Sequence, residues 1–203
     1  MATVAKYAVP SAVVISALVI FIGAIGMDAG ADSLYNFTQS LYAMPINDFA
    51  MQMSETAVAQ WVVVRFYAIP IMQMVHIVAI AGTFIAVMML AMEPFRLVSH
   101  AATRDIGRRY TKVLWWALLV VVASGVAMLF GDTVRNLLNS IFWMKMCLLV
   151  VGILTAIFYS SRLRAIGQSG AAASTGMKVT GVLLVVLWCL IMVCGRWIAY
   201  APA

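Results

Sequence analysis

Five long apolar stretches constrain this chain more than any other feature. They cover about residues 7–26, 61–92, 113–131, 141–159 and 179–200, and a helix needs roughly 20 apolar residues to cross a bilayer. Of the 203 residues, 65% are hydrophobic and 10% are charged, whereas soluble domains are about 45–50% apolar. The sequence therefore predicts an all-α, polytopic membrane bundle of five transmembrane helices, forming a single domain over residues 1–203.

Basic residues cluster on one side of these five spans. Nine of the 13 Lys and Arg residues lie in the N-terminus and in the connections after the second and fourth spans, while five of the seven acids lie in the other connections. Because cytoplasmic loops are enriched in Lys and Arg, we predict an N-in, C-out protein of a bacterial inner membrane. The clustering also accounts for the net charge of +6 without a nucleic-acid partner.

Residues 7–26 also have the character of a signal peptide. The sequence Ala-Gly-Ala at 29–31 has the small residues of a cleavage site. We nevertheless expect this stretch to be retained as the first span.

The longest connection, residues 27–60, is acidic and contains no Lys or Arg. Within it Leu34, Phe37, Leu41 and Met44 recur at helical spacing, which predicts an amphipathic helix lying in the outer membrane interface. Pro45 is expected to end that helix.

The second span contains His76, the only histidine inside an apolar stretch. On a continuous helix at about 100° per residue, Arg65 and Thr83 lie roughly 20° from His76, with Met72 and Gln73 flanking the same stripe. An ionisable group at membrane depth is costly, so it usually marks a functional site. The stripe is therefore the leading candidate site.

Three cations lie near the predicted outer ends of different spans: Arg65, Lys145 and Arg196. They could pair with acids of the outer loop. They could instead surround an anionic group such as a haem propionate or a phospholipid headgroup. The third interpretation is that they only extend their charged ends to the interface.

His76 itself has three interpretations. As a ligand of b-type haem it needs a second axial ligand, because His100 lies about 36 Å further along a continuous helix. That ligand would be His76 of a second copy or a methionine (Met128, Met144, Met146 or Met192). As a copper ligand it would act with Met72. In the third interpretation a neutral imidazole only forms a hydrogen bond within the bundle, to Gln73, Ser124 or Thr155.

Several short motifs carry a family resemblance: P-x-x-Q-x-x-H at 70–76, GRRY at 107–110, the Ser124-Gly125 pair and FWMK at 142–145. Together they resemble an uncharacterised bacterial inner-membrane family, which is distantly similar to copper-resistance protein D and cytochrome b561-like membrane bundles. The resemblance spans about residues 44–159. It implies a four-helix membrane core with a b-type haem or copper site, carried here onto His76 and Lys145. The chain departs from the cytochrome pattern in having one intramembrane histidine.

Other chemistry is weakly represented in the sequence. There is no Gly-rich phosphate loop, HExxH or GxSxG motif, so a redox role is favoured over a hydrolytic enzyme. Cys147, Cys189 and Cys194 lie in apolar spans and are expected to be small buried hydrophobes. The leading hypothesis is a haem-binding electron-transfer component with Arg65, Lys145 and Arg196 near the propionates, contacting lipid and a redox partner. The alternatives are an accessory subunit of a homo-oligomer or larger membrane complex, and a copper-binding or copper-transport protein.

Overall fold

The computed structural model describes residue 15 and residues 28–95, 100–169 and 172–200. In these ranges the regular structure is helical. In chain order the helices are α1 (Asp28–Tyr42), α2 (Pro45–Ser54), α3 (Ala57–Val64), α4 (Ala68–Met92, continued by a 3-10 turn over Glu93–Phe95), α5 (His100–Leu129), α6 (Thr133–Leu137), α7 (Ser140–Ser169) and α8 (Thr175–Trp197). Helices α4, α5, α7 and α8 are long and apolar enough to cross a membrane, as expected for an integral membrane protein.

These four helices form a closed ring. Helices α4 and α7 each pack against both α5 and α8. The start of α5 lies beside the end of α7, where Gly107 approaches Leu163, and the start of α8 lies beside the end of α4, where Gly181 approaches Ala91. Neighbouring helices therefore run in opposite directions. The centre of the ring is filled by buried side chains, including Val87, Leu90, Leu114, Tyr159, Leu184 and Leu187.

The second predicted span does not form one continuous helix from Trp61. Helix α3 ends at Val64, Arg65 is extended (φ −96°, ψ 100°), and α4 begins at Ala68. Pro70 lies in the first turn of α4. A proline is tolerated there because first-turn N–H groups have no partner within the helix.

The other spans extend further than their apolar cores predicted. Helix α5 starts at His100 rather than near Val113, and α7 continues past Tyr159 to Ser169. The basic residues assigned to loops, such as Arg108, Lys112 and Arg164, therefore sit on helix ends. Of the predicted five spans, the first, at 7–26, lies outside the described residues except for residue 15, and the N-in, C-out orientation stays a prediction.

A helix does form over the predicted amphipathic segment, and it docks on the bundle. Thr38 and Leu41 of α1 are 5% and 4% exposed, whereas Phe37 is 43% exposed. The Thr38 hydroxyl accepts a hydrogen bond from the backbone N–H of Ser140 at the start of α7 (3.3 Å). The buried face is thus centred on Thr38 and Leu41 rather than on the whole Leu34–Met44 stripe.

This docking gives a first prediction. Leu41→Ala should lower the free energy of unfolding in detergent by about 2–4 kcal/mol, because a buried leucine is lost and a cavity remains. Phe37→Ala is the control, since it removes an exposed apolar side chain from the same helix, and its effect should stay below about 1 kcal/mol. Equal effects of the two substitutions would show that α1 is not docked through Leu41.

Candidate functional site

His76 lies where α4 meets α5. Its side chain is 9% exposed, and its Nδ1 is 2.8 Å from the Ser124 hydroxyl of α5. A Cβ at Gly125 would lie 3.4 Å from the His76 Cε1, so this glycine lies directly beside the imidazole ring. The predicted stripe continues along α4 to Thr83, which is fully buried, while Gln73 is exposed. Of the three hydrogen-bond partners considered for His76, the structure selects Ser124.

The hydrogen bonds of Ser124 define the state of the histidine. Its hydroxyl lies 2.5 Å from the carbonyl oxygen of Val120 in the same helix, the common back-bond of an intrahelical serine. A hydroxyl has one proton to donate. If that proton goes to Val120, the imidazole Nδ1–H must donate to the Ser124 oxygen. In that arrangement Nδ1 carries a proton, and a neutral imidazole would have its lone pair on Nε2.

Lys145 of α7 points toward the same part of the bundle. It lies within electrostatic range of both His76 and Cys194. Its Nζ would be 3.4 Å from a Cβ at Gly195 of α8, so the ammonium group lies beside this glycine. In the part of the chain that the structure describes, no carboxylate pairs with Lys145. The site thus draws one residue or more from each helix of the ring.

Arg65 and Arg196 do not join this cluster. Arg65 sits in the break before α4, where its guanidinium stacks 4.3 Å from the ring centroid of Trp61 and donates to the Trp61 carbonyl. Arg196 is exposed at the end of α8 and donates to the Tyr200 hydroxyl (2.5 Å). Each of these contacts joins the arginine to a residue only four positions away in the chain. Of the three cations that were predicted to surround an anionic group, Lys145 is the one that lies near His76.

Met72 lies one turn before His76 and is half-buried. It lines an apolar groove of about 320 Å³ between α4 and α5, formed by Ile71, Met72, Val75, Leu119, Val120, Ala123 and Ser124. Among the described residues, no three His, Cys, Asp or Glu side chains are grouped as metal ligands. A copper ion at this position would therefore rely on His76 and thioether sulfur.

The Ser124-Gly125 pair was noted as a motif, but Gly195 was not considered from the sequence. Gly125 lies beside His76 and Gly195 beside Lys145, but a glycine in a membrane span usually indicates close helix packing. The sequence offered one signal for Gly195: it directly precedes Arg196, one of the three candidate cations. Gly195, rather than Arg196, is the residue that lies beside Lys145.

A second buried polar cluster lies near the other end of the ring. Glu93, at the start of the 3-10 turn after α4, is 2% exposed and within electrostatic range of Tyr159. The Tyr159 hydroxyl donates toward the carbonyls of Leu90 and Ala91 at 3.3 and 3.4 Å. Helix α8 covers this cluster. Because Glu93 directly follows the second predicted span, the sequence suggested a loop there and did not predict that Glu93 is buried.

Fold and site together define the class: a bundle of four helices long and apolar enough to cross a membrane, as in an integral membrane protein, with a buried histidine and a lysine on different helices. Comparisons with family models, with curated proteins and with solved structures found no match.

Proposed function

We propose that the protein binds b-type haem in a bacterial inner membrane through His76 and Lys145, and that it acts as an electron-transfer component. The observation that carries the proposal is the hydrogen bond between His76 Nδ1 and the Ser124 hydroxyl (2.8 Å). A histidine that binds a metal through Nε2 almost always donates its other ring N–H to a neighbouring acceptor. The donor chemistry at His76 therefore fits an iron ligand.

Lys145 supplies the second part of the proposal. An ammonium group inside a bundle is costly unless an anion accompanies it. A haem propionate is such an anion, and charge-assisted hydrogen bonds are the strongest available to it. Lys145 would thus orient the ligand, while Ser124 would fix the tautomer and the ring orientation of His76. Bound haem would supply the one-electron redox couple.

If haem is bound, a methionine or His76 of a second copy would supply a second ligand. Exposed apolar side chains cover the outer face of α4, with Met74 64% and Val78 67% exposed. Such a face suits either lipid or a second membrane helix. This face lies about 200° around α4 from the buried His76, so a helix packed on it would not bring a second His76 to the iron, and a methionine of the same chain is the better second ligand.

A non-catalytic accessory subunit is the second candidate. The contact between His76 and Ser124 also favours this candidate. Ser124 already provides a hydrogen-bond partner for the His76 Nδ1, and Gly125 lets α4 and α5 pack closely. In that case His76 joins two helices and binds no cofactor. Copper bound by His76 and Met72 is the third candidate.

One composition measurement separates the three candidates. Protein purified in mild detergent would be assayed for haem by absorption and pyridine haemochrome, and for iron and copper by mass spectrometry. The haem proposal predicts iron and porphyrin in equal amounts and a Soret band. Copper without porphyrin would indicate the copper site, and the absence of both would leave the accessory subunit.

Lys145→Met gives a prediction for the propionate contact. The substitution roughly keeps the side chain's length and removes its charge, so haem should transfer to apomyoglobin about 10- to 150-fold faster, since a charge-assisted hydrogen bond contributes roughly 1.5–3 kcal/mol. Arg65→Gln is the matched control, because it removes a cation that contacts only Trp61 in the described structure. A transfer rate unchanged in Lys145→Met, or raised equally in Arg65→Gln, would contradict the assignment.

A further inference from the structure

A cavity of about 350 Å³ lies between α5 and α7, at the end of the ring opposite to Lys145. Three basic residues line it: Arg108 and Lys112 on α5, and Arg164 on α7. Every one of them is exposed, and the lining residues include no carboxylate. The cavity is therefore a concentrated positive site at the end of two membrane helices.

The base of this cavity is polar and closely packed. Thr111 and Ser160 are 7% and 1% exposed, and their hydroxyls donate to backbone carbonyls within their own helices, so each oxygen keeps a lone pair. Arg164 is held by a hydrogen bond from its Nε to the Ser160 carbonyl (3.4 Å). This contact leaves the terminal nitrogens of Arg164 available to a ligand.

Apolar surface continues from the cavity along the same faces of both helices. On α5, Trp116 follows Lys112 by one turn and is 71% exposed; on α7, Ile157 lies two turns before Arg164 and is 45% exposed. Positions four or seven residues apart share a helix face. A molecule held at the cations would therefore extend along an apolar track toward the middle of the membrane.

We propose that this cavity binds the phosphate headgroup of an anionic phospholipid, with its acyl chains along the Trp116 and Ile157 faces. Guanidinium groups recognise phosphate through paired hydrogen bonds, and basic pockets between membrane helices on the cytoplasmic side hold anionic headgroups. The apolar tracks favour a lipid over a free phosphate. The site is independent of haem.

The test is a lipid titration of the full chain in neutral detergent, followed by native mass spectrometry and thermal unfolding. Phosphatidylglycerol should bind and raise the unfolding temperature, while phosphatidylcholine and glycerol phosphate should do neither. The triple variant Arg108→Gln, Lys112→Gln, Arg164→Gln should weaken phosphatidylglycerol binding on the order of 100-fold, since each basic residue near an anionic lipid contributes roughly fivefold.

The matched control removes three other cations from the same end of the bundle, in the variant Arg109→Gln, Arg162→Gln, Lys178→Gln. Its binding should change less than about fivefold, because these residues do not line the cavity. Arg164→Gln alone provides a milder variant, with an expected loss of roughly fivefold. Equal losses in the two triple variants would overturn the site, as would binding by glycerol phosphate alone or equal binding of phosphatidylcholine.

Discussion

Replacing Gly181 by alanine is expected to lower the free energy of unfolding by about 1–3 kcal/mol, the usual cost of adding volume to a filled core. A Cβ at this position would lie 2.7 Å from the Tyr159 hydroxyl oxygen and 3.1 Å from the Ala91 carbonyl oxygen. Tyr159 cannot easily move away, since it is 1% exposed and hydrogen-bonded to α4. The added methyl group must therefore push α8 away from α4 and α7. Denaturant unfolding in detergent measures the effect.

A double-mutant cycle identifies the cause. Tyr159→Phe removes the atom that the new Cβ would meet first, so Gly181→Ala should cost at least about 0.5 kcal/mol less in the Tyr159→Phe background. Gly82→Ala is the control, because its Cβ would meet Ala117 at an ordinary 3.7 Å. That change should be neutral or stabilising by up to about 1 kcal/mol. A harmless Gly181→Ala, or a cost unaffected by Tyr159→Phe, would contradict the packing described here.

The four membrane helices could be predicted from apolar run length, but the boundary at Arg65 could not. Residues 61–64 are as apolar as those of α4, so hydropathy alone joins the two helices. The angular relation between Arg65 and His76 depended on a continuous helix. Once the backbone becomes extended at Arg65, the 3.6-residue period no longer links the two residues, whereas the relation between His76 and Thr83 within α4 persists.

His76, at the centre of the candidate site, could be predicted from the sequence, whereas the residues around it could be predicted only in part. His76 followed from the cost of an ionisable group in hydrocarbon, and Ser124 was one of three possible partners. Lys145 could not be separated from Arg65 and Arg196 by sequence, because depth in the membrane says nothing about which way a helix faces. The rotation of α7 and α8 is set by packing, with Gly195 lying beside the Lys145 ammonium group.

The second large predicted effect is the loss of bound haem when His76 is replaced. If the imidazole Nε2 ligates haem iron, His76→Ala should remove the Soret band almost completely. Ser124→Ala should lower haem affinity roughly 10- to 100-fold, the usual effect of losing a partner of a metal-bound histidine. Thr155→Ala is the control, because this buried hydroxyl donates to the Val151 carbonyl in its own helix and should leave the spectrum unchanged.

The most direct test of the account is the absorption spectrum of the purified wild-type protein beside that of His76→Ala at matched concentration. We expect a Soret band in the wild type, its loss in His76→Ala, and a weakened band in Ser124→Ala. A wild-type protein without a Soret band, or a band of equal intensity and position in His76→Ala, would contradict haem ligation by His76.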